Sequence, residues 1–222
     1  MAGRLLLVCL ILAAAALAAL AVLRWRGLLL LSHESNPEQW EVFGVDVSSY
    51  QGAVDWPVLA DQGVDFAFIK ATEGSTLRDG RFADNWAGAQ AAGVRAGAYH
   101  FLSYDTPGET QADNFIDLVP VTEGALPPVV DIEFYGDYLE NPPEKEHVRS
   151  ILDPLLERLE AHYGVKPILY VTYRSYYLYL AGGGYGEYPI WCSSPTVFPL
   201  VPGWDFWQYS HTARLDGYDG SQ

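Results

Sequence analysis

Cysteine is nearly absent from this chain of 222 residues: Cys9 lies in an apolar segment and Cys192 stands alone in the remainder. No intradomain disulfide can form, and no cysteine-built zinc cluster is on offer. Basic residues are scarce as well. Ten of the 13 lysines and arginines lie beyond residue 31, together with all 28 acidic residues, a formal balance of −18 for that stretch. Such a charge argues against nucleic acid as a partner and against docking on an anionic membrane surface. Glycine-rich phosphate loops are missing too. Neither GxGxxG nor GxxxxGKS/T occurs, and Gly182-Gly183-Gly184 lies in a tyrosine-rich stretch without the flanking strand and helix that phosphate binding needs. No GxSxG elbow is present, so a serine nucleophile with a histidine and an aspartate is unsupported. No cofactor and no metal are expected.

Charge is also absent from Leu5 to Leu23, a run of leucine, alanine, valine and isoleucine long enough to cross a hydrocarbon core as a helix. It reads as a signal peptide or a membrane anchor. Ala19-Leu20-Ala21 would suit cleavage, whereas Arg24-Trp25-Arg26 and the second apolar run Leu28 to Leu31 favour retention. Arginines stand on both sides, so the positive-inside rule assigns no orientation. The chain therefore divides into a signal or anchor over 1–31, a linker over 32–40 and one domain over 41–222, large enough for a single core. The domain is expected to be a monomer, held to the membrane through the amino-terminal helix with its bulk outside, or secreted if that helix is removed.

Beyond the linker, strand-like runs alternate with helix-like ones, the rhythm of repeated βα units. Strands are expected over Val42 to Val47, Val64 to Lys70, Val94 to Phe101, Pro128 to Glu133, Pro167 to Thr172, Tyr188 to Trp191 and Trp204 to Tyr209. Helical spacing marks Arg81 to Ala92, Pro107 to Val119 and Glu144 to Tyr163, the last ended by Gly164. This rhythm implies an α/β fold with a parallel sheet, either a closed barrel or an open doubly wound sheet. Asp46, Lys70, His100 and the pair Asp131 and Glu133 end successive strands. Ionisable groups at the carboxyl ends of many strands are a barrel's arrangement, whereas an open sheet gathers them at one switch point.

Asp131-Ile132-Glu133 closes the apolar run Leu126 to Val130 and carries the most chemistry. Period-two alternation turns both carboxyls to one side of the strand. Two acids so placed repel when both are ionised, so one holds its proton near neutral pH. A protonated carboxyl beside an ionised one is what glycosidic cleavage requires. An acidic strand end bonded to nearby amides is the bland alternative.

In chain order, Gly44-Val45-Asp46-Val47-Ser48-Ser49-Tyr50-Gln51-Gly52, Asp55-Trp56, Lys70-Ala71-Thr72-Glu73-Gly74, Gly97-Ala98-Tyr99-His100-Phe101, Asp131-Ile132-Glu133 and Phe206-Trp207-Gln208-Tyr209 resemble the glycoside hydrolase family 25 lysozymes, from about Phe43 to about Ser210. The resemblance implies a modified βα barrel that hydrolyses the β-1,4 bond between N-acetylmuramic acid and N-acetylglucosamine in peptidoglycan. It assigns Glu133 as general acid. Asp131 would stabilise the positive charge directly or orient the substrate's acetamido group, and Asp46 would be a third pocket carboxylate, unless it simply pairs with Lys70. Tyr99, Tyr170, Trp191 and Trp207 are candidates for stacking on sugars. Lys70, Glu73, His100 and Gln208 are candidates for the pocket wall. Two departures stand out: Trp191-Cys192-Ser193-Ser194 replaces the family's usual aliphatic and alanine after the tryptophan, and the closing Asp-x-Asn segment is unmatched, with Asp216 or Asp219 as stand-ins. Without a final strand, a barrel edge would be left unpaired. An inactive glycan-binding barrel or a hydrolase of another amino sugar polymer are the competing readings.

Overall fold

The computed structural model describes residues 2–25 and 40–218. Its first element, α1 (Ala2–Trp25), is helical, and its described side chains, 9–20 and 22, are exposed. Among the described residues no helix is long and apolar enough to cross a membrane, so the membrane-spanning reading of Leu5 to Leu23 gains no support here. The second apolar run and the linker residues 32–39 lie outside the described residues, as do residues 219–222 and with them Asp219.

The domain is built on β1 (Gly44–Val47), β2 (Phe66–Glu73), β3 (Leu77–Arg78), β4 (Arg95–Phe101), β5 (Val129–Ile132), β6 (Ile168–Val171), β7 (Ile190–Ser193) and β8 (Trp204–Gln208). Seven of them pair in parallel in the order β1-β2-β4-β5-β6-β7-β8, and β3 folds back on the end of β2. All seven strands expected from the sequence are present, with ends that coincide or shift by up to three residues. Crossover helices succeed the first strands: α3 (Phe82–Ala91), α4 (Gly108–Ile116) and α5 (Lys145–Tyr163) fall where helices were expected, and α2 (Trp56–Asp61) is an addition that the spacing did not mark. Gly164 ends α5 in the left-handed conformation, φ 72°, which glycine adopts without a Cβ penalty.

The βα rhythm stops after β6. The short α6 (Tyr173–Ser175) and a π-helical turn (Tyr176–Leu180) lead to β7, and an irregular loop leads from β7 to β8. The sheet nevertheless curls. Phe68 of β2 meets Trp191 of β7 and Phe206 of β8, with ring centroids 4.6 and 5.4 Å apart. Yet β1 and β8 end the path without pairing, so the parallel sheet is a barrel open along one seam, bridged by side chains. Among the described residues the tail adds no strand at this seam: Tyr218 makes one antiparallel bridge to Val54, and Asp216 bonds through its backbone to Gln62. Asp216 thus sits against α2, away from the carboxylate rim.

Strand alternation sorts the side chains into two cores. Val130, Ile132, Leu169 and Val171 face outward to the helices, where Leu152, Leu155, Leu156 and Leu159 of α5 complete a fully buried layer. Phe68, Val129, Ile168, Tyr170 and Trp191 face inward and fill the barrel's floor. That floor is what lifts the polar residues of the next layer to the rim.

Helices α4 and α5 pack closely at Gly108, where an added Cβ would run into the Ile151 carbonyl oxygen. The obstacle is backbone and cannot rotate away. Gly108→Ala is expected to destabilise the domain by about 2 kcal/mol or more. Urea denaturation should show the lower midpoint with an unchanged slope.

Candidate active site

Each rim residue is set by the pleat of its strand. Asp131 stands opposite Phe101 of β4 and Tyr170 of β6, Tyr170 opposite Trp191, and Ser193 opposite Gln208. Glu133 lies just past the end of β5. Its backbone carbonyl accepts a hydrogen bond from the buried Tyr104 hydroxyl at 3.0 Å, which steadies the acid where ladder bonds have ended. A cleft of about 540 Å³ opens above the floor, lined by Asp46, Lys70, Tyr99, Asp131, Glu133, Tyr170, Trp191 and Gln208 among others. These eight were all expected at the site. The structure brings them together.

A chain of hydrogen bonds ties the outer carboxylates. The Tyr170 hydroxyl lies 3.4 Å from Glu133 Oε1 and 2.9 Å from Gln208 Oε1, Ser193 donates to the same Gln208 oxygen at 2.9 Å, and Gln208 Nε2 donates to Asp46 Oδ2 at 3.0 Å. Gln208 therefore links β8 to β1 across the open seam. The lysine pairing considered for Asp46 goes elsewhere: Lys70 Nζ sits 2.7 Å from Glu73 Oε2.

Asp131 is the most confined acid, only 7 % exposed, and its Oδ1 is buried without a partner among the described residues. Loss of water raises its pKa well above the ordinary value, and the charge of Glu133 adds to the rise. Glu133 is raised as well, by burial first, with the Tyr170 hydroxyl pulling the other way. Asp46 is raised by burial and partly relieved by Gln208. Three desolvated carboxyls crowd one cleft, so full ionisation of the three is resisted. Asp131, the deeper of the pair, is the more strongly raised.

Three expected site residues lie apart from this cleft. His100 comes directly after the inward Tyr99 and so points outward, fully buried. A register shift between Lys70 and Thr72 turns Thr72 to the same side, 2.7 Å from His100 Nδ1. Gln111 Nε2 donates to the Ser103 and Thr106 carbonyls, so its Oε1 accepts from His100 Nε2–H at 2.9 Å. The ring is thereby held as the Nε2–H tautomer, and burial lowers its pKa to about 4. Trp207 donates from Nε1 to the Ser194 carbonyl and packs against Trp40, Phe198 and Trp204 beside the seam. Glu73 is taken up by Lys70.

The sequence pattern assigned no role to Tyr50, Gln51, Phe101, Ser193 and His211, all of which line the cleft. Tyr50, Gln51 and Phe101 stood inside the family-like segments, and Ser193 inside the departure after Trp191. Nothing in the pattern marked His211.

A curled parallel sheet with an acid-lined cleft at its carboxyl rim is an arrangement that acid-assisted cleavage of a glycosidic bond can use. Residues 45–218 match glycosyl hydrolases family 25, and the chain belongs to that family. It is 34 % identical to Lysozyme M1 of Streptomyces globisporus over 203 residues, covering 81 % of this chain and 65 % of that protein. It is also 34 % identical to the uncharacterized protein YegX of Escherichia coli O157:H7, over 83 % of this chain and 69 % of the relative. Among solved structures, a family 25 glycosyl hydrolase from Bacillus anthracis superposes with a TM-score of 0.80 at 46 % identity, covering 86 % of this chain and 89 % of that one. The bacterial lysozyme from Streptomyces coelicolor gives 0.72 at 32 % identity, over 81 % and 88 %.

Because Asp131 keeps its proton more readily folded than unfolded, its contribution to stability is greatest below the unfolded carboxyl pKa and is lost as pH rises through the raised folded value. Asp131→Asn removes the ionisation while keeping the shape. The variant is expected to melt above the parent at pH 7, each kcal/mol gained adding about 2–4 °C, with the difference shrinking toward pH 4. Melting curves across that range check it.

Proposed function

We propose that this protein hydrolyses the β-1,4 bond between N-acetylmuramic acid and N-acetylglucosamine in peptidoglycan. The observation that carries the reading is the buried Oδ1 of Asp131, without a hydrogen-bond partner among the described residues, beside Glu133 in the cleft. Membership of family 25 and the likeness to Lysozyme M1 support the substrate class.

An unpartnered buried acceptor is destabilising, and a substrate amide can offset that cost. The N–H of the N-acetyl group at the scissile sugar donates to Asp131 Oδ1. That bond favours the ionised form of Asp131 and leaves the shared proton on Glu133. The acetamido oxygen, turned toward the anomeric carbon, forms its bond there as the glycosidic C–O bond breaks. Glu133 hands its proton to the departing sugar oxygen. Water then adds at the anomeric carbon, giving its proton to the Glu133 carboxylate and reopening the acetamido ring. Asp46 acts at a distance through its charge, which raises Glu133 and helps keep it protonated. The confined Oδ1 of Asp131 supports the acetamido route over direct stabilisation of the charged sugar.

The proposal places the domain outside the cell, where the wall lies, with the apolar segment Leu5 to Leu23 as its export signal. Protease added to intact producing cells is expected to remove the domain. Survival until lysis would reverse the orientation.

Glu133→Gln keeps the side chain's shape and removes the transferable proton. Turnover of purified peptidoglycan is expected to fall by about two orders of magnitude or more, with the melting temperature and wall binding retained. Full activity in this variant would move the acid to another residue.

A further inference from the structure

Tyr50 is the one large aromatic of the cleft that packing does not explain. Its side chain is 79 % exposed, yet it lines the same cleft as Asp46 and Glu133. Among the described residues its ring meets no other aromatic ring, and its hydroxyl makes no hydrogen bond. The other rings of the cleft are different. Trp191 and Tyr170 are buried against each other, 4.5 Å between centroids, and Phe101 packs against Tyr135 and lies under Lys70 Nζ.

The turn that carries Tyr50 is fixed on every side. Ser48 caps the 3-10 turn Ser49–Gln51, its hydroxyl accepting the Tyr50 N–H at 3.2 Å, while its own N–H donates to the Gln51 side chain. Gln51 is 4 % exposed, so the capping box is itself locked in the core. Ser49 N–H donates to Asp79 Oδ2, which ties the turn to the segment after β3. Gly52, at φ 69°, lets the chain leave the turn sharply. A bare aromatic ring on a braced support costs little further entropy when a ligand covers it. Sugar rings present an apolar face of C–H groups that suits such a surface.

We propose that Tyr50 is a stacking platform for a pyranose ring of the glycan strand, one sugar or more away from the bond that is cut. The inference rests on the muramidase reading and deepens it: Tyr50 grips the polymer and takes no part in proton transfer. It predicts a dependence on chain length, because a substrate too short to reach the β1 side of the cleft gains nothing from the ring.

The test compares Tyr50→Ala, Tyr50→Phe and Tyr50→Trp on purified peptidoglycan and on soluble glycan strands freed of peptides. Tyr50→Ala is expected to raise KM by about three- to tenfold, the range of a single aromatic stacking contact, with kcat changed by less than about twofold on the same grounds. Tyr50→Phe and Tyr50→Trp should restore KM, since the ring and not the hydroxyl is at work. Binding of Glu133→Gln to the same strands should weaken by the same factor when Tyr50→Ala is added. A melting temperature close to the parent's is expected for all three. If the parent cleaves and binds the strands while Tyr50→Ala keeps the parental KM and affinity, the platform is overturned and the muramidase reading stands. If the parent neither cleaves nor binds them, the muramidase reading falls and the platform falls with it.

Discussion

Desolvation of carboxyl groups is the constraint on which the rest of the structure depends. An aromatic floor of Phe68, Tyr170 and Trp191 excludes water from below Asp131, the charges of Glu133 and Asp46 raise Asp131 further, and Asp46 also raises Glu133. Left alone, such a cluster would destabilise the domain, because ionising buried acids is costly. The fold offsets part of the cost with specific donors. Gln208 donates to Asp46, and the Tyr170 hydroxyl, bonded to Gln208 at 2.9 Å, lies 3.4 Å from Glu133, while Asp131 Oδ1 receives nothing from the described protein. The proposed mechanism uses this inequality: Glu133 and Asp46 are held by side chains, and Asp131 Oδ1 is the acceptor proposed to meet the substrate amide.

The open seam gives Gln208 a second task. With β1 and β8 unpaired, its amide bridges the two ends of the sheet while its carbonyl collects Tyr170 and Ser193. Beside it lies a cavity of about 390 Å³ lined by Trp40, Phe43, Phe66, Phe206 and Trp207. Apolar packing and one side-chain network therefore close the barrel where a backbone ladder does so elsewhere. Site geometry and barrel closure share the same glutamine.

Much of this was legible in the sequence, and the reasons are local. Alternation in the run from Val129 through Glu133 predicted both the strand and the shared face of its acids, and the apolar stripe ended by Gly164 predicted α5. Eight of the eleven site candidates meet in one cleft because strand ends of a parallel sheet converge whatever the connections between them. The failures have equally definite causes. His100 was misplaced because its neighbour Tyr99 takes the inward position, and the shift in β2 that pairs Thr72 with it has no sequence signature. Trp207 was misplaced because an inward and an outward tryptophan look alike when a strand is aromatic throughout. The loss of helices after β6 was hidden by a tyrosine-rich stretch that carries neither period clearly. The open seam depends on pairing between the two ends of the sheet, which no local pattern reports.

The central claim is that the desolvated pair Asp131 and Glu133 cuts on one side of the muramic acid residue. Digestion of purified peptidoglycan, with reduction of the new ends and identification of the reduced sugar, addresses it directly. The account predicts N-acetylmuramic acid at the new reducing ends. N-acetylglucosamine there, or no new reducing ends at all, would contradict it.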